Sequence, residues 1–220
     1  MHEITNPPLT ARKIFGFAGF VETGSSSRVE IARGYQVHDE KDLIERARKR
    51  DPEAFAEIYE KHFDRIYRYV FLRVGNHLEV EDLTQQVFLK ALQSISSYKW
   101  RGVPLSSWLF RIAHNQVIDY QRKAAKLQAI SLDVPTAATS PDPEEVVGHE
   151  MDVERVRKAI GTLTQLQREV ISLRFAGELS TAETARVMGK SEGAVKALQH
   201  SALAALRKTL LRELGYGEEV

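Results

Sequence analysis

Residues 179–210 read LSTAETARVMGKSEGAVKALQHSALAALRKTL. Ser180, followed three residues on by Glu183, forms a capping-box pattern that starts a short helix, and Gly189 supplies its stop. Ser191 then caps a longer helix in which Val195, Leu198, Ala202 and Leu206 recur at helical spacing. A short helix, a tight turn holding glycine and a longer helix make the helix-turn-helix arrangement. In that arrangement the second helix enters the major groove and offers its N-terminal residues to base edges. Glu192, Lys196, Gln199 and His200 fall on the face away from the apolar stripe, with Ser191 at the helix start, while Arg207 and Lys208 are placed to meet phosphates. An ordinary helical hairpin with a solvated face competes with this reading. Caps, turn length and a basic outer face all favour DNA.

Working outward, charge divides the chain more usefully than its net value of +1 suggests. Residues 1–41 are neutral, 42–126 carry fifteen cations against eleven acids, and 127–150 carry five acids and no cation. Residues 151–214 carry eleven cations against seven acids, and 215–220 add two acids. The acidic block, LQAISLDVPTAATSPDPEEVVGHE, holds three prolines among small and polar residues, which is linker composition. The expected organisation is therefore an N-terminal extension of little order (1–41), a helical domain (42–126), a linker (127–150), a second helical domain (151–214) and a short tail (215–220). No cysteine is present, which excludes disulfides and thiolate metal sites and fits a reducing cytoplasm. No run approaches the ~18 apolar residues of a membrane helix, and the N-terminus lacks a secretory pattern.

Helical periodicity dominates and no convincing alternating strand is found, so the fold class is all-α: two small helical domains joined by a flexible linker. In the first block, helices are expected at about 42–50, from Pro52 to about Gly75, at about 78–94 and at about 104–126. The second is marked by Phe55, Ile58, Tyr59, Phe63, Ile66, Tyr67 and Val70, and the third by Leu83, Val87, Phe88, Ala91 and Leu92 on one side. In the second block helices are expected at about 151–161, 164–176, 181–188 and 191–212. Residues 97–123, SYKWRGVPLSSWLFRIAHNQVIDYQRK, place Tyr98, Trp100 and Phe110 among cations beside the break Gly102-Val103-Pro104. Trp108 is spaced as a core residue, whereas Trp100 in its loop is not explained by helix packing.

LTQLQREVISLRFAGELSTAETARVMGKSEGAVKALQHSALAALRKTL resembles the −35-recognising domain of bacterial sigma factors, and EDLTQQVFLKALQSISSYKWRGVPLSSWLFRIAHNQVIDYQRK resembles their −10-recognising domain. The two in this order, with only a short linker between them, match the layout of the extracytoplasmic-function (ECF) class. The resemblance covers about residues 42–126 and 151–214. It implies a subunit that binds core RNA polymerase, directs it to promoters and melts the −10 region without catalysing a reaction. It also implies that the 94–105 loop holds a base of the non-template strand that has left the stack, with Tyr98, Lys99, Trp100 and Arg101 as its pocket. Extruding a base costs a few kcal/mol, which stacking on aromatic faces at ~1–3 kcal/mol per base recovers. On the following helix Arg111, Asn115, Asp119 and Arg122 run along one side, where the family makes promoter contacts; Asp119 and Arg122 also suit a plain ion pair. Ser191, Glu192, Lys196, Gln199, His200, Arg207 and Lys208 become the −35 set.

The same resemblance assigns Asp82, Gln85, Gln86 and Leu89 to the polymerase, through the clamp helices of its largest subunit, with the flap as a further contact. Gln86 departs from the family, which commonly has an acid there. The recognition helix departs too, since Leu198, Ser201 and Leu203 stand where arginines are common; fewer cations mean a shallower salt dependence. An anti-sigma protein is a further implied partner, and the acidic linker suits the polymerase channel by its charge. Neither membrane insertion nor a cofactor is implied. Enzymatic readings lack support: the seven histidines show no H-x-x-x-H or H-E-x-x-H pairing, and no phosphate-cradling glycine motif occurs. The alternative that stays open is a stand-alone helix-turn-helix regulator that binds duplex DNA through residues 180–210.

Overall fold

A computed structural model describes residues 40–130 and 158–213, with side-chain surroundings for 40–127 and 158–212. Among the described residues every regular element is helical. Helix α1 covers 40–48. Helix α2, Pro52–Val74, begins where the Asp51 carboxylate accepts from the backbone N–H groups of Glu53 and Ala54, with Pro at the first turn where it lacks nothing the helix needs. Helix α3, His77–Ser94, is capped by Asn76, and a 3₁₀ turn, Ile95–Ser97, leads into the loop before α4, Leu105–Ile130. A short turn of helix, α5 (158–161), opens the second domain. Helix α6, Gln165–Ile171, runs directly into a π-helical turn, Ser172–Ala176; α7 is Thr181–Met188 and α8 is Glu192–Glu213.

Both halves of the capping box expected at α7 are formed: the Ser180 hydroxyl accepts from the Glu183 N–H and the Glu183 carboxylate accepts from the Ser180 N–H. Gly189 sits at φ 64°, a left-handed conformation that costs a residue with a Cβ and lets the chain turn sharply into α8. Ser180→Ala removes the cap and is expected to cost about 1 kcal/mol in thermal unfolding, with Ser180→Thr restoring most of it.

The core of the first domain gathers Ile44, Ile58, Ile66, Val70, Leu83, Val87, Leu105, Leu109 and Phe110 from α1 to α4. That cluster does not stop at the domain boundary. Leu173 and Leu179, flanking the π turn, and Val187 on α7 belong to it, so the two domains share one apolar body. A smaller cluster of Leu163, Val170, Ile171, Ala185, Val195 and Ala202 holds the helix-turn-helix together.

Four expectations change. Leu92 is 48% exposed rather than in the core, because it lies one position past the inward row of Val80, Leu83, Thr84, Val87, Phe88 and Ala91. It joins Leu78 and Leu89 on the outer face of α3. Conversely, His62, Tyr69 and Arg73 are buried. All three lie on the same face of α2 as Ile58 and Ile66, and Arg73 donates from there to the Gln165 carbonyl of the second domain. Helix α1 begins at residue 40, inside the span expected to have little order, and α4 continues to Ile130, four residues into the expected linker. The rest of the extension, most of the linker, the start of the 151–161 helix and the tail lie outside the described residues.

Candidate nucleic-acid interface

The loop at 98–104 is fixed at both ends, its start by the Tyr98 N–H, which donates to the Ile95 carbonyl of the 3₁₀ turn at 3.0 Å. Gly102 adopts φ 67°, which only glycine takes without strain, and turns the chain back toward α4. The first N–H of α4, on Leu105, donates to the Glu40 carboxylate across 3.1 Å, so α1 caps a helix 65 residues later. Burial pushes the Glu40 pKa up, with the Leu105 N–H opposing. Within the loop Tyr98 and Trp100 are half-buried against the core, while Lys99 and Arg101 are exposed. The Tyr98 ring lies 4.9 Å from that of Trp108, itself only half-buried rather than a fully enclosed core residue. The loop thus presents two aromatic side chains, each packed on one side, beside two exposed cations.

Arg111, Asn115, Asp119 and Arg122 are all exposed along one side of α4. Asp119 and Arg122 approach to 3.9 Å, a loose surface pair that leaves both available to other partners. Arg111 is engaged already: its Nη2 donates to the Arg186 carbonyl at the end of α7, 2.6 Å away.

On α8 the Ser191 hydroxyl accepts from the Ala194 N–H, and Glu192, Lys196, His200, Arg207 and Lys208 are exposed. Gln199 departs from the expected row. It is half-buried, and its Oε1 accepts from Arg174 Nε at 2.9 Å, while Arg174 also donates to the Leu179 carbonyl. Gln199 thereby ties α8 to the π turn instead of facing outward, because its position borders the buried row of Val195 and Ala202. On α3, Asp82, Gln85 and Leu89 are exposed, and Leu89 with Leu78 and Leu92 makes an apolar strip on one helix. Gln86 is half-buried in a chain of polar contacts, donating to Asp82 and accepting from Gln116 of α4. Its role is to fix the outer face of α3 against α4.

Several residues of this arrangement carry no signal in the sequence. Glu40 acts across 65 positions, and Arg174 caps a turn that periodicity reads as plain helix. The polar side of the domain contact is likewise silent. Arg65 and Arg68 of α2 reach the 176–178 turn, Ser106 of α4 donates to Glu183 at 2.5 Å, and His114 Nδ1 stands 2.8 Å from Glu169 Oε1. The last is a close polar approach that falls short of a hydrogen bond. For Glu183, burial raises the pKa, but hydrogen bonds from Ser106 and Ser180 and the charge of Arg65 outweigh it and hold the carboxyl below its usual range. Burial pulls the His62 pKa down to about 3, helped by Arg65 and Lys61, so its imidazole stays neutral at ordinary pH.

The family model for sigma-70 region 2 matches residues 58–127, and that for sigma-70 region 4 matches residues 159–208. SigX of Bacillus subtilis, an ECF RNA polymerase sigma factor, is 34% identical over 178 residues, 76% of this chain and 90% of its own. The chain belongs to the ECF sigma factors. BldN of Streptomyces coelicolor, another of the class, is 37% identical over 171 residues; the match covers 77% of this chain but 65% of BldN. Among solved structures, the sigma factor RpoE from Bartonella quintana, crystallised with the anti-sigma factor NepR, superposes with a TM-score of 0.61 at 25% identity, covering 71% of this chain and 96% of that one. Sigma factors bind core RNA polymerase and direct initiation at promoters; they are initiation factors rather than catalysts. Both matched regions coincide with the two helical domains, one carrying the aromatic loop and the other the helix-turn-helix. No helix among the described residues is long and apolar enough to cross a membrane.

Proposed function

We propose that this sigma factor reads the −10 element with the first domain and the −35 element with the second, and opens the duplex on the 98–101 loop. The observation that carries the reading is the loop itself: Tyr98 and Trp100 are held half-buried between the 3₁₀ turn that ends at Ser97 and the left-handed Gly102 before α4, with Lys99 and Arg101 exposed beside them. A protein that binds only duplex DNA has no use for a stacking platform flanked by cations. Trp100 and Tyr98 stack the displaced base, Lys99 and Arg101 hold its phosphates, and Arg111, Asn115, Asp119 and Arg122 contact the adjoining promoter. Ser191, Glu192, Lys196 and His200 face the −35 major groove, Arg207 and Lys208 meet backbone, and Gln199 acts by positioning α8. In this reading the working units are residues 42–126 and 151–214, extended at their described edges to residues 40 and 130.

Core polymerase docks on the outer face of α3. Leu89 and Leu92 supply the apolar centre, with Asp82 and Gln85 at its rim, an arrangement typical of protein interfaces. The flap is assigned to the second domain, and an anti-sigma protein, such as those crystallised with sigma factors of similar fold, is assigned as an inhibitory partner. The protein works in the cytoplasm, where the polymerase is, and performs no reaction of its own. Permanganate footprinting of holoenzyme on its promoter tests the opening step, since unpaired thymines appear only where the duplex has melted. Lys208→Ala should lower the salt slope of holoenzyme binding to that promoter by about 0.9, the signature of one lost phosphate contact, with base preference unchanged.

A further inference from the structure

The polar half of the contact between the domains is built from arginines. Arg65 of α2 donates to the Gly177 carbonyl through Nε at 3.0 Å and Nη2 at 2.6 Å, and to the Glu178 carbonyl at 3.2 Å. One turn along, Arg68 reaches the Ala176 carbonyl at 3.4 Å and the Glu178 carboxylate at 2.5 Å. Arg111 of α4 closes the row on the Arg186 carbonyl. The acceptors they meet are mostly backbone carbonyls, neutral oxygens presented on turns. Guanidinium forks directed at clustered oxygens are also the way proteins grip phosphate, and there the oxygens are charged and the bonds stronger.

The turn that fills this row is under strain. Glu178 sits at φ 53°, unfavourable for a residue with a Cβ, and Gly177 packs so closely that a Cβ on it would lie 2.7 Å from Cε1 of Phe110. The same contact covers part of α4, since Ser106 and His114 also face the second domain. Yet the −35 and −10 elements are centred about 25 base pairs apart, roughly 85 Å of duplex at 3.4 Å per pair. A compact body of this size has a radius of gyration near 15 Å. A molecule with α4 against α7 cannot read both elements, so the contact must open on promoter DNA and leave the arginines without their acceptors.

We propose that Arg65, Arg68 and Arg111 form a binding site for the phosphate backbone of promoter DNA, occupied in the free protein by the 176–178 turn and the end of α7. Second domain and DNA then compete for one arginine surface. The inference rests on the reading in which the Arg111 side of α4 faces the promoter.

Two substitutions that open the contact separate this site from a mere latch. Gly177→Val sets a side chain against both Phe110 and the Leu173 carbonyl of its own turn, displacing the turn from α4 without changing any charge, whereas Arg65→Ala with Arg68→Ala opens the contact by removing the cations. The chain has no cysteine, so Glu57→Cys and Ala204→Cys take a donor and acceptor dye specifically, and energy transfer reports opening in the full-length protein. Binding to a 30-base-pair duplex of mixed sequence is followed by anisotropy across a salt series. Both variants should lose energy transfer. Gly177→Val should bind the duplex about tenfold tighter with a salt slope steeper by two to three, and the arginine pair should bind no tighter than wild type. Equal gains in both variants, or opening by Gly177→Val with no gain, would overturn the proposal. So would tighter binding of a poly-glutamate peptide than of the duplex by the opened variant, which would make the site one for an acidic protein. Should circular dichroism show that Gly177→Val melts the domain, Ser106→Ala, which removes a hydrogen bond across the contact without changing any charge, carries the same expectations at reduced size. Run-off transcription by wild type with core polymerase reports the sigma role separately. Its failure, with the arginine-dependent gain intact, would overturn promoter DNA as the ligand while leaving backbone binding measured.

Discussion

Trp100→Ala should lower the fraction of promoter held open by holoenzyme about five- to hundredfold while leaving the closed complex nearly as tight. The reasoning is energetic. Stacking returns ~1–3 kcal/mol per base, and it acts only once the base has left the duplex, so its loss falls on the opening step. The structure makes Trp100 suited to this because its indole is half-buried against the core and cannot swing freely when the base arrives. A platform already ordered loses little entropy on binding. Trp100→Phe, which keeps a stacking face, should recover much of the effect. Permanganate footprinting measures the open fraction and a gel shift at low temperature measures the closed complex. A variant that weakens both to the same degree would place Trp100 in ordinary binding and not in base capture.

Phe110→Ala has the largest expected effect on stability, about 3–5 kcal/mol, the usual cost of deleting a fully enclosed phenyl ring. Phe110 has no exposed surface. Its ring meets Tyr69 edge-on at 5.6 Å, lies under the Arg65 guanidinium at 5.7 Å and closes against Gly177 of the other domain. It therefore belongs to the core of one domain and to the contact between two. Urea denaturation should show the midpoint falling, and Phe110→Leu, which keeps most of the volume, should cost markedly less. A loss under 1 kcal/mol would mean that the two domains do not share this core.

The helix-turn-helix was legible because its information is local. Ser180, Glu183, Gly189 and Ser191 each satisfy backbone groups within a few residues, so spacing alone reveals them. The apolar stripe of α2 was legible for the same reason, and so were Leu89 on the outer face of α3 and the exposed row from Arg111 to Arg122. What was not legible acts across the chain. Arg73 lies on the buried face of its helix, yet a cation is expected at the surface, and what accommodates it, Gln121 and the Gln165 carbonyl, comes from 48 and 92 positions away. Gln199 stands at the border of the buried row of Val195 and Ala202, and what engages it there, Arg174, is 25 positions away. Leu92 shows the limit of periodicity itself: one step along a helix, about 100°, carries a leucine from the edge of the core to the surface. Misreading it concealed part of the apolar strip that the docking proposal needs.

The most direct test of the whole account is run-off transcription from a pool of genomic fragments, with core RNA polymerase in the presence and absence of this protein. Discrete transcripts that appear only with the protein, and that fade in the Trp100→Ala variant, are the predicted result. Absence of any transcript with core enzyme, together with a shift of duplex DNA by the protein alone, would contradict it and make the chain a regulator that acts without the polymerase.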